Sequence, residues 1–126
     1  MQDVVQGVVI VVVAGFFLAM GVFGLVAPAA LIRPFRMAAD SAEARSEIRA
    51  VYGGFGVAVG GLLLVALADA GGLRTGVLVT VAVSLLGMAC GRLVGRAVER
   101  PAAFYPVWCY FCVEVAAAGA LLAVLR

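Results

Sequence analysis

The feature that most constrains this chain is a series of long apolar stretches. Residues 4–27 carry no charged side chain, and similar stretches follow at 50–68, 75–91 and 102–125, the last with one charge, Glu114. About 20 mainly apolar residues in a helix cross the roughly 30 Å hydrocarbon core of a bilayer. Hydrophobic residues make up 66% of the 126 positions, so the composition predicts an integral membrane protein rather than a water-soluble domain.

The breaks between these stretches place the helices. Pro28 ends the first because its ring cannot continue a helix, Gly71-Gly72 is typical of a tight turn, and Pro101 marks the first turn of the last helix. The sequence therefore predicts an all-α fold, an integral membrane four-helix bundle with up-down topology and no soluble domain. The predicted single domain is 1–126, with spans at about 4–28, 48–69, 74–97 and 102–125.

Two local patterns refine this prediction. Asp40, with Glu43 three residues later, is typical of a capping box, so the second helix is expected to begin before its apolar stretch. A cleavable signal peptide is the competing interpretation of the first stretch. The segment before that stretch contains Asp3 and no basic residue, and the apolar run is longer than signal peptides use, which favours a retained span.

The distribution of arginine predicts the orientation. The chain has no Lys, and its nine basic residues divide seven to two between the two sides of a four-span arrangement. Because basic loops stay in the cytoplasm, we expect a multi-pass protein of the inner (plasma) membrane with both termini outside the cytoplasm. The net charge of +2 gives no basic stripe for nucleic acid, so the expected partner is the lipid bilayer. The cytoplasmic set is Arg33, Arg36, Arg45, Arg49, Arg92, Arg96 and Arg100; the opposite set is Arg74 and Arg126.

Glu114 is the strongest candidate for a functional residue. An ionisable group inside a span is costly and normally faces the interior of the protein. Side chains lean toward the N-terminus of their helix, so Glu114 and Arg92, on antiparallel helices, are predicted to lean toward each other. Arg49 and Glu47 are predicted to complete a buried polar cluster of four charges. The cluster is either a structural ion-pair network or a site for a proton or substrate.

Glycines at a spacing of four predict close helix packing. Gly91 is the centre of two consecutive small-xxx-small steps, and Gly56 and Gly60 form another. A Gly91→Leu substitution is accordingly expected to disrupt packing severely. The contact lies either within one chain or between copies, so a homo-oligomer or a larger membrane complex is compatible with the pattern. The predicted packing residues are Gly53, Gly54, Gly87, Gly91 and Gly95.

Three cysteines form a candidate thiol site. Cys109 and Cys112 make a C-x-x-C pair, and Cys90 is predicted at a similar depth. A membrane thiol oxidoreductase and a soft-metal site are the specific interpretations, and ordinary buried cysteines are the simpler one. The sequence has no His and none of the common nucleotide or nucleophile motifs, so it predicts no cofactor and no metal, and it favours a non-enzymatic role.

The order of motifs resembles a known bacterial family. The segment Glu47-Ile48-Arg49-Ala50-Val51-Tyr52-Gly53-Gly54, followed by Gly91-Arg92 and then by Glu114, is similar to the domain of unknown function 4345 family. The resemblance covers most of the chain and implies a small four-span membrane protein without an assigned activity. The C-x-x-C pair lies outside the family's pattern, which weakens a redox interpretation.

Three functions follow as hypotheses. The first is a non-enzymatic membrane bundle, an accessory, assembly or ligand-binding protein, that contains the intramembrane Glu/Arg cluster. The second is a small proton-coupled exporter acting as a dimer, and the third is a membrane thiol oxidoreductase. The exporter needs Glu114 free in a cavity, the bundle needs it paired with Arg, and the enzyme needs the cysteine pair at a water-facing rim.

Overall fold

The computed structural model describes residues 1–99 and 104–125, and every regular element in those two ranges is helical. The short connections are 3-10 turns at Arg33–Phe35 and Ala70–Gly72, and a π-helical segment, Arg49–Gly54, joins α3 to α4 without a break. The helices are α1 (Gln2–Val26), α2 (Pro28–Ile32), α3 (Ala42–Ile48), α4 (Phe55–Leu67), α5 (Arg74–Val98) and α6 (Val107–Ala123).

The start of the second long helix differs from the prediction in its cap. The helix does begin before the apolar stretch, at Ala42, but Ser41 rather than Asp40 is the N-cap residue. The Ser41 hydroxyl accepts a hydrogen bond from the backbone N–H of Ala44 at 3.0 Å. A serine one residue further along the chain thus satisfies a free donor of the first turn, and the predicted pairing of Asp40 with Glu43 is wrong.

The connection from α4 to α5 is the predicted tight turn. Gly71 and Gly72 both have a positive φ, which glycine adopts without the steric cost of a Cβ. Asp69 also lies in the left-handed region, and its carboxylate accepts a hydrogen bond from the backbone N–H of Arg74 at 3.1 Å. The turn therefore carries a side-chain acceptor for the first residue of α5, where free N–H groups need partners.

The four principal helices alternate in direction and share one core. α1 packs along α4, α5 packs along α6, and α4 also contacts α5. The beginning of α1 and the end of α6 meet where Gln6 donates a hydrogen bond to the Val124 carbonyl. All four helices contribute buried apolar side chains to one cluster: Ile10, Val13, Ala14, Phe17, Leu63, Ala66, Val77, Leu78, Val81, Ala82, Leu85, Ala118 and Leu121.

Three helices of the described chain are long and apolar enough to cross a membrane: 2–26, 42–67 and 74–98. Only 28–33% of the most apolar part of each is buried inside the protein, so most of that apolar surface faces outward. The predicted count of four is not met by this criterion, because α6 has 17 residues and begins at Val107 instead of residue 102. Pro101 and Arg126 lie outside the described residues.

Candidate functional site

The structure brings Arg92 and Glu114 together. The Arg92 guanidinium donates from Nε to Oε1 of Glu114 at 2.8 Å and from Nη2 to Oε2 at 2.9 Å. Glu114 is 4% exposed, whereas the Arg92 side chain is 23% exposed. Two parallel hydrogen bonds match the planar fork of a guanidinium to both oxygens of a carboxylate. The pair thus joins α5 to α6 with a defined geometry.

An aromatic layer flanks this ion pair. The Arg92 guanidinium lies 5.6 Å from the centre of the Tyr110 ring, within the range of a cation–π contact. On the Tyr110 side, the ring of Phe35 stacks at a centroid distance of 5.6 Å. Phe35 belongs to the connection after α2 and Tyr110 to α6, so the stack anchors the first connection beside the ion pair.

A cleft of about 590 Å³ opens next to Arg92. Most of its lining residues recur at spacings of three and four on α5, so one face of that helix forms the floor. Tyr52, from the π-helical segment, and Val107, at the start of α6, form the walls. The α5 residues of the cleft are Met88, Gly91, Arg92, Gly95 and Arg96, and Glu99, the C-cap residue of α5, continues the lining.

The predicted four-charge cluster is reduced to this pair. Arg49 is exposed, and its Nε donates a hydrogen bond to the carbonyl oxygen of Leu25 at 3.1 Å. Arg49 therefore satisfies a free carbonyl in the last turn of α1, where cations are favourable. Glu47 is exposed and pairs with no described residue. The structure does not place Glu47 or Arg49 with Glu114, and Arg100 lies outside the described residues.

The predicted packing glycines are confirmed next to α1, at Gly53 and at the Gly56–Gly60 step, and not on α5. Of the predicted set, Gly53 packs closely, because a Cβ there would lie 2.8 Å from the Leu25 side chain. A Cβ at Gly54 would meet only the carbonyl oxygen of Arg49, at 3.7 Å, and would contact no other helix. A Cβ at Gly87, Gly91 or Gly95 would meet no described atom within 4 Å. Within one chain, the packing prediction is therefore wrong for the glycines of α5.

The close contact lies between α1 and the helix formed by the π-helical segment and α4, where Gly21 and Gly24 of α1 meet Gly56 and Gly53. A Cβ on Gly56 would lie 2.9 Å from the Cα of Gly21, and a Cβ on Gly24 would lie 2.9 Å from the backbone nitrogen of Gly53. The α1 partners were missed because their spacing of three differs from the small-xxx-small pattern. Glycines inside a 25-residue apolar helix were the available signal, since they allow two backbones to approach.

The structure does not assemble the predicted thiol site. Cys90 and Cys112 are exposed and Cys109 is half-buried, so the cysteines are not the buried core residues that the simpler interpretation expected. All three are free thiols. Among residues 1–99 and 104–125, no three metal-ligating side chains come together.

A second polar cluster, missed in the sequence, lies at the opposite end of the helices. The Arg74 guanidinium donates to the carbonyl oxygens of Ala66 and Leu67 at 3.0 and 2.7 Å, and to the side-chain oxygen of Gln6 at 2.8 Å. Gln6 is 3% exposed, and its amide donates to Val124. The cluster links four helices through satisfied polar groups. A lone Gln in an apolar run was the signal for it.

Long apolar helices around a shared core, with a charged pair held between two of them, are typical of helical membrane proteins. The chain belongs to the family described as domain of unknown function 4345 (DUF4345), which matches residues 5–125. This match confirms the family resemblance inferred from the sequence. No curated protein and no solved structure matches the chain.

Proposed function

We propose that the protein is a non-enzymatic, four-span protein of the inner membrane, in which the Arg92–Glu114 pair fixes α5 against α6 and thereby shapes a binding cleft. The observation that carries this proposal is the two-hydrogen-bond geometry of the pair. A lone charge in a span costs about 2.5–3.5 kcal/mol on insertion scales. Neutralising the charge with a bidentate partner reduces this cost and sets the register of the two helices.

The proposed fourth span is α6 with its flanking residues. The helix itself covers 17 residues, and tyrosine and tryptophan side chains at its beginning suit the membrane–water interface. The three longer helices supply the other spans. With four spans, both termini lie on one side, which agrees with the hydrogen bond between Gln6 and Val124.

The pairing of Glu114 favours this role over a proton-coupled exporter. An exporter of this size needs a carboxylate that exchanges a proton for a cationic substrate in a wet cavity. Glu114 is 4% exposed and both of its oxygens accept hydrogen bonds from Arg92. Its carboxylate therefore has no oxygen left without a cationic partner, and it does not line the cleft.

A double-mutant cycle tests the structural role of the pair. Glu114→Gln leaves the Arg92 guanidinium without its counter-ion, and we expect a loss of about 3 kcal/mol in unfolding free energy, since Arg92 is only partly desolvated. Adding Arg92→Met removes the unpaired charge, so the double variant is expected to recover at least about half of that loss. The measurement is thermal unfolding in detergent.

Small, additive effects in this cycle contradict the proposal. If Glu114→Gln unfolds like the wild type but abolishes proton-driven uptake of a fluorescent cation into proteoliposomes, the exporter is correct. The matched control is Glu47→Gln, which removes an exposed carboxylate without a described partner and should change stability by less than about 0.5 kcal/mol.

Reporter fusions test the topology. Alkaline phosphatase, which is active only outside the cytoplasm, should be active when fused after Arg126 and inactive when fused within residues 36–41, because the basic residues beside that segment hold it in the cytoplasm. A cytoplasmic location of the C-terminus contradicts either the orientation or the count of four spans. Green fluorescent protein at the same positions gives the complementary signal.

A further inference from the structure

The cleft on α5 contains two charged groups that have no partner among residues 1–99 and 104–125. Arg92 is held by Glu114, but Arg96 and Glu99, one turn further along, form no hydrogen bond or ion pair with any described residue. Both line the cleft, Arg96 in the last turn of α5 and Glu99 at the C-cap of that helix, where the backbone is extended. The charges that face the cleft without a described partner are therefore one guanidinium and one carboxylate, and Tyr52 lines the same cleft.

Apart from Arg92, whose charge is paired with Glu114, the rest of the cleft floor is apolar. Gly91 and Gly95 leave open space where other residues would place a side chain, and Met88 continues the floor away from the charged end. The cleft thus has a polar end with one cation and one anion, and an apolar trough of glycine backbone and a flexible methionine. This division of polarity matches the head and chain of an amphiphile.

We propose that this cleft binds a phospholipid whose head group carries both a phosphate and a primary ammonium, as phosphatidylethanolamine does. The phosphate accepts hydrogen bonds from Arg96, and the ammonium donates to Glu99. One acyl chain lies over Gly91 and Gly95. The assignment rests on the membrane location proposed above and identifies a ligand for the same cleft.

Charge complementarity selects this head group over others. A purely anionic head group, such as phosphatidylglycerol, pairs with Arg96 but leaves Glu99 beside a negative charge. A choline head group has a cation without N–H donors, so it satisfies Glu99 less well. A fatty acid has no ammonium at all. Only a head group with both charges and N–H donors leaves neither side chain unpaired.

Native mass spectrometry of the full chain in detergent measures this preference. The probes are dihexanoyl phosphatidylethanolamine, phosphatidylcholine and phosphatidylglycerol, and the chain-free compounds phosphoethanolamine and inorganic phosphate. We expect one tightly bound phosphatidylethanolamine per chain, with about tenfold weaker binding of the other two lipids, which corresponds to one lost charge-assisted contact.

Three variants assign the contacts. Arg96→Gln should weaken binding of phosphatidylethanolamine about tenfold or more, because it removes the phosphate contact. Glu99→Gln should remove the preference over phosphatidylglycerol while retaining binding. Arg33→Gln is the matched control, since Arg33 is exposed in the first connection and lies outside the cleft. Equal retention of lipid in Arg96→Gln and Arg33→Gln overturns the proposal.

A steric variant locates the acyl chain. Gly91→Leu places a side chain on the cleft floor. A Cβ at this position meets no described atom within 4 Å, so we expect the variant to fold normally and its affinity for the lipid to fall at least tenfold. Gly87→Leu is its control, because Gly87 is equally open but does not line the cleft. Unchanged lipid binding by Gly91→Leu contradicts the assignment.

The chain-free probes separate a lipid from a soluble ligand. If phosphoethanolamine competes as well as the lipid does, the lipid assignment is wrong and the cleft is a site for a soluble phosphate–amine compound. If inorganic phosphate competes equally well, the cleft is an anion site only, and the lipid assignment is again wrong. If the protein inserts in the membrane, folds and keeps the Arg92–Glu114 pair but binds no lipid selectively, the lipid proposal is wrong and the proposed function stands. A chain that is soluble without detergent contradicts the proposed function as well.

Discussion

Two faces of the molecule are rich in glycine, one where α1 meets α4 and one on α5. The facing helix covers the first face closely, and the second is open. Between α1 and α4, a Cβ at Gly21 would lie 2.5 Å from the backbone nitrogen of Val57, so the two backbones are in direct contact. On α5, three glycines at a spacing of four meet no described atom within 4 Å. The first face joins two helices, whereas the second opens onto the cleft and the outer surface.

This difference shows what a glycine pattern specifies. Small residues at a spacing of four permit a close approach but contribute no attraction of their own. Attraction comes from the surface of the facing helix. On α4, Gly56 faces a complementary small residue, Gly21, and Leu25 covers Gly53. On α5, Gly91 and Gly95 lie beside polar residues of the cleft, and no described helix comes within 4 Å of a Cβ at either position.

The largest effect is expected for Gly56→Leu. A side chain at this position would enter the backbone of α1, because its Cβ alone would lie 3.0 Å from the carbonyl oxygen of Phe17 and 2.9 Å from Gly21. Backbone atoms cannot move aside as a flexible side chain does, so we expect a loss above about 3 kcal/mol, or no folded protein. Thermal unfolding in detergent and the yield of folded protein are the measurements.

The control for this substitution lies on the same helix. Gly61 has nothing within 4 Å of its would-be Cβ, so Gly61→Leu makes the same chemical change without entering α1. It should retain wild-type yield. Equal damage by both substitutions would mean that leucine disturbs α4 itself, and the assignment of a close α1–α4 contact would then be wrong.

The sequence predicted the parts of this molecule that depend on single elements. The helical class, the ends of α1 and α5 and the turn at Gly71-Gly72 follow from apolar length, proline and glycine. The contact between Arg92 and Glu114 also followed from the sequence, since a charge inside a span needs a partner and the two side chains lean toward each other on antiparallel helices.

The predictions that were wrong concern which surfaces of the helices contact each other. Arg49 lies at the mouth of a span like Arg92, but it is close enough to the end of α1 to bind the Leu25 carbonyl instead of a carboxylate. The π-helical segment Arg49–Gly54 left no signal in hydrophobic periodicity, although such segments often occur near functional sites. It brings Tyr52 to the cleft wall, which no local pattern indicates.

The smallest effect is expected for Gly87→Leu, which applies the same change to the open face. No described atom lies within 4 Å of the new Cβ, so the side chain extends away from the helix without displacing a neighbour. Glycine is also about 1 kcal/mol less favourable than good helix formers inside a helix. We therefore expect the free energy of unfolding in detergent to lie within about 1 kcal/mol of the wild-type value. If it changes, it should increase.

This substitution also decides whether the open face meets a second copy of the chain. If α5 glycines approach each other between two chains, Gly87→Leu separates them and the particle mass in detergent, measured by light scattering, falls to that of one chain while the fold persists. If the face is free, the mass is the same as for the wild type. A strong loss of stability in a particle that stays monomeric contradicts the open face itself, because a leucine there would then have to meet atoms of its own chain.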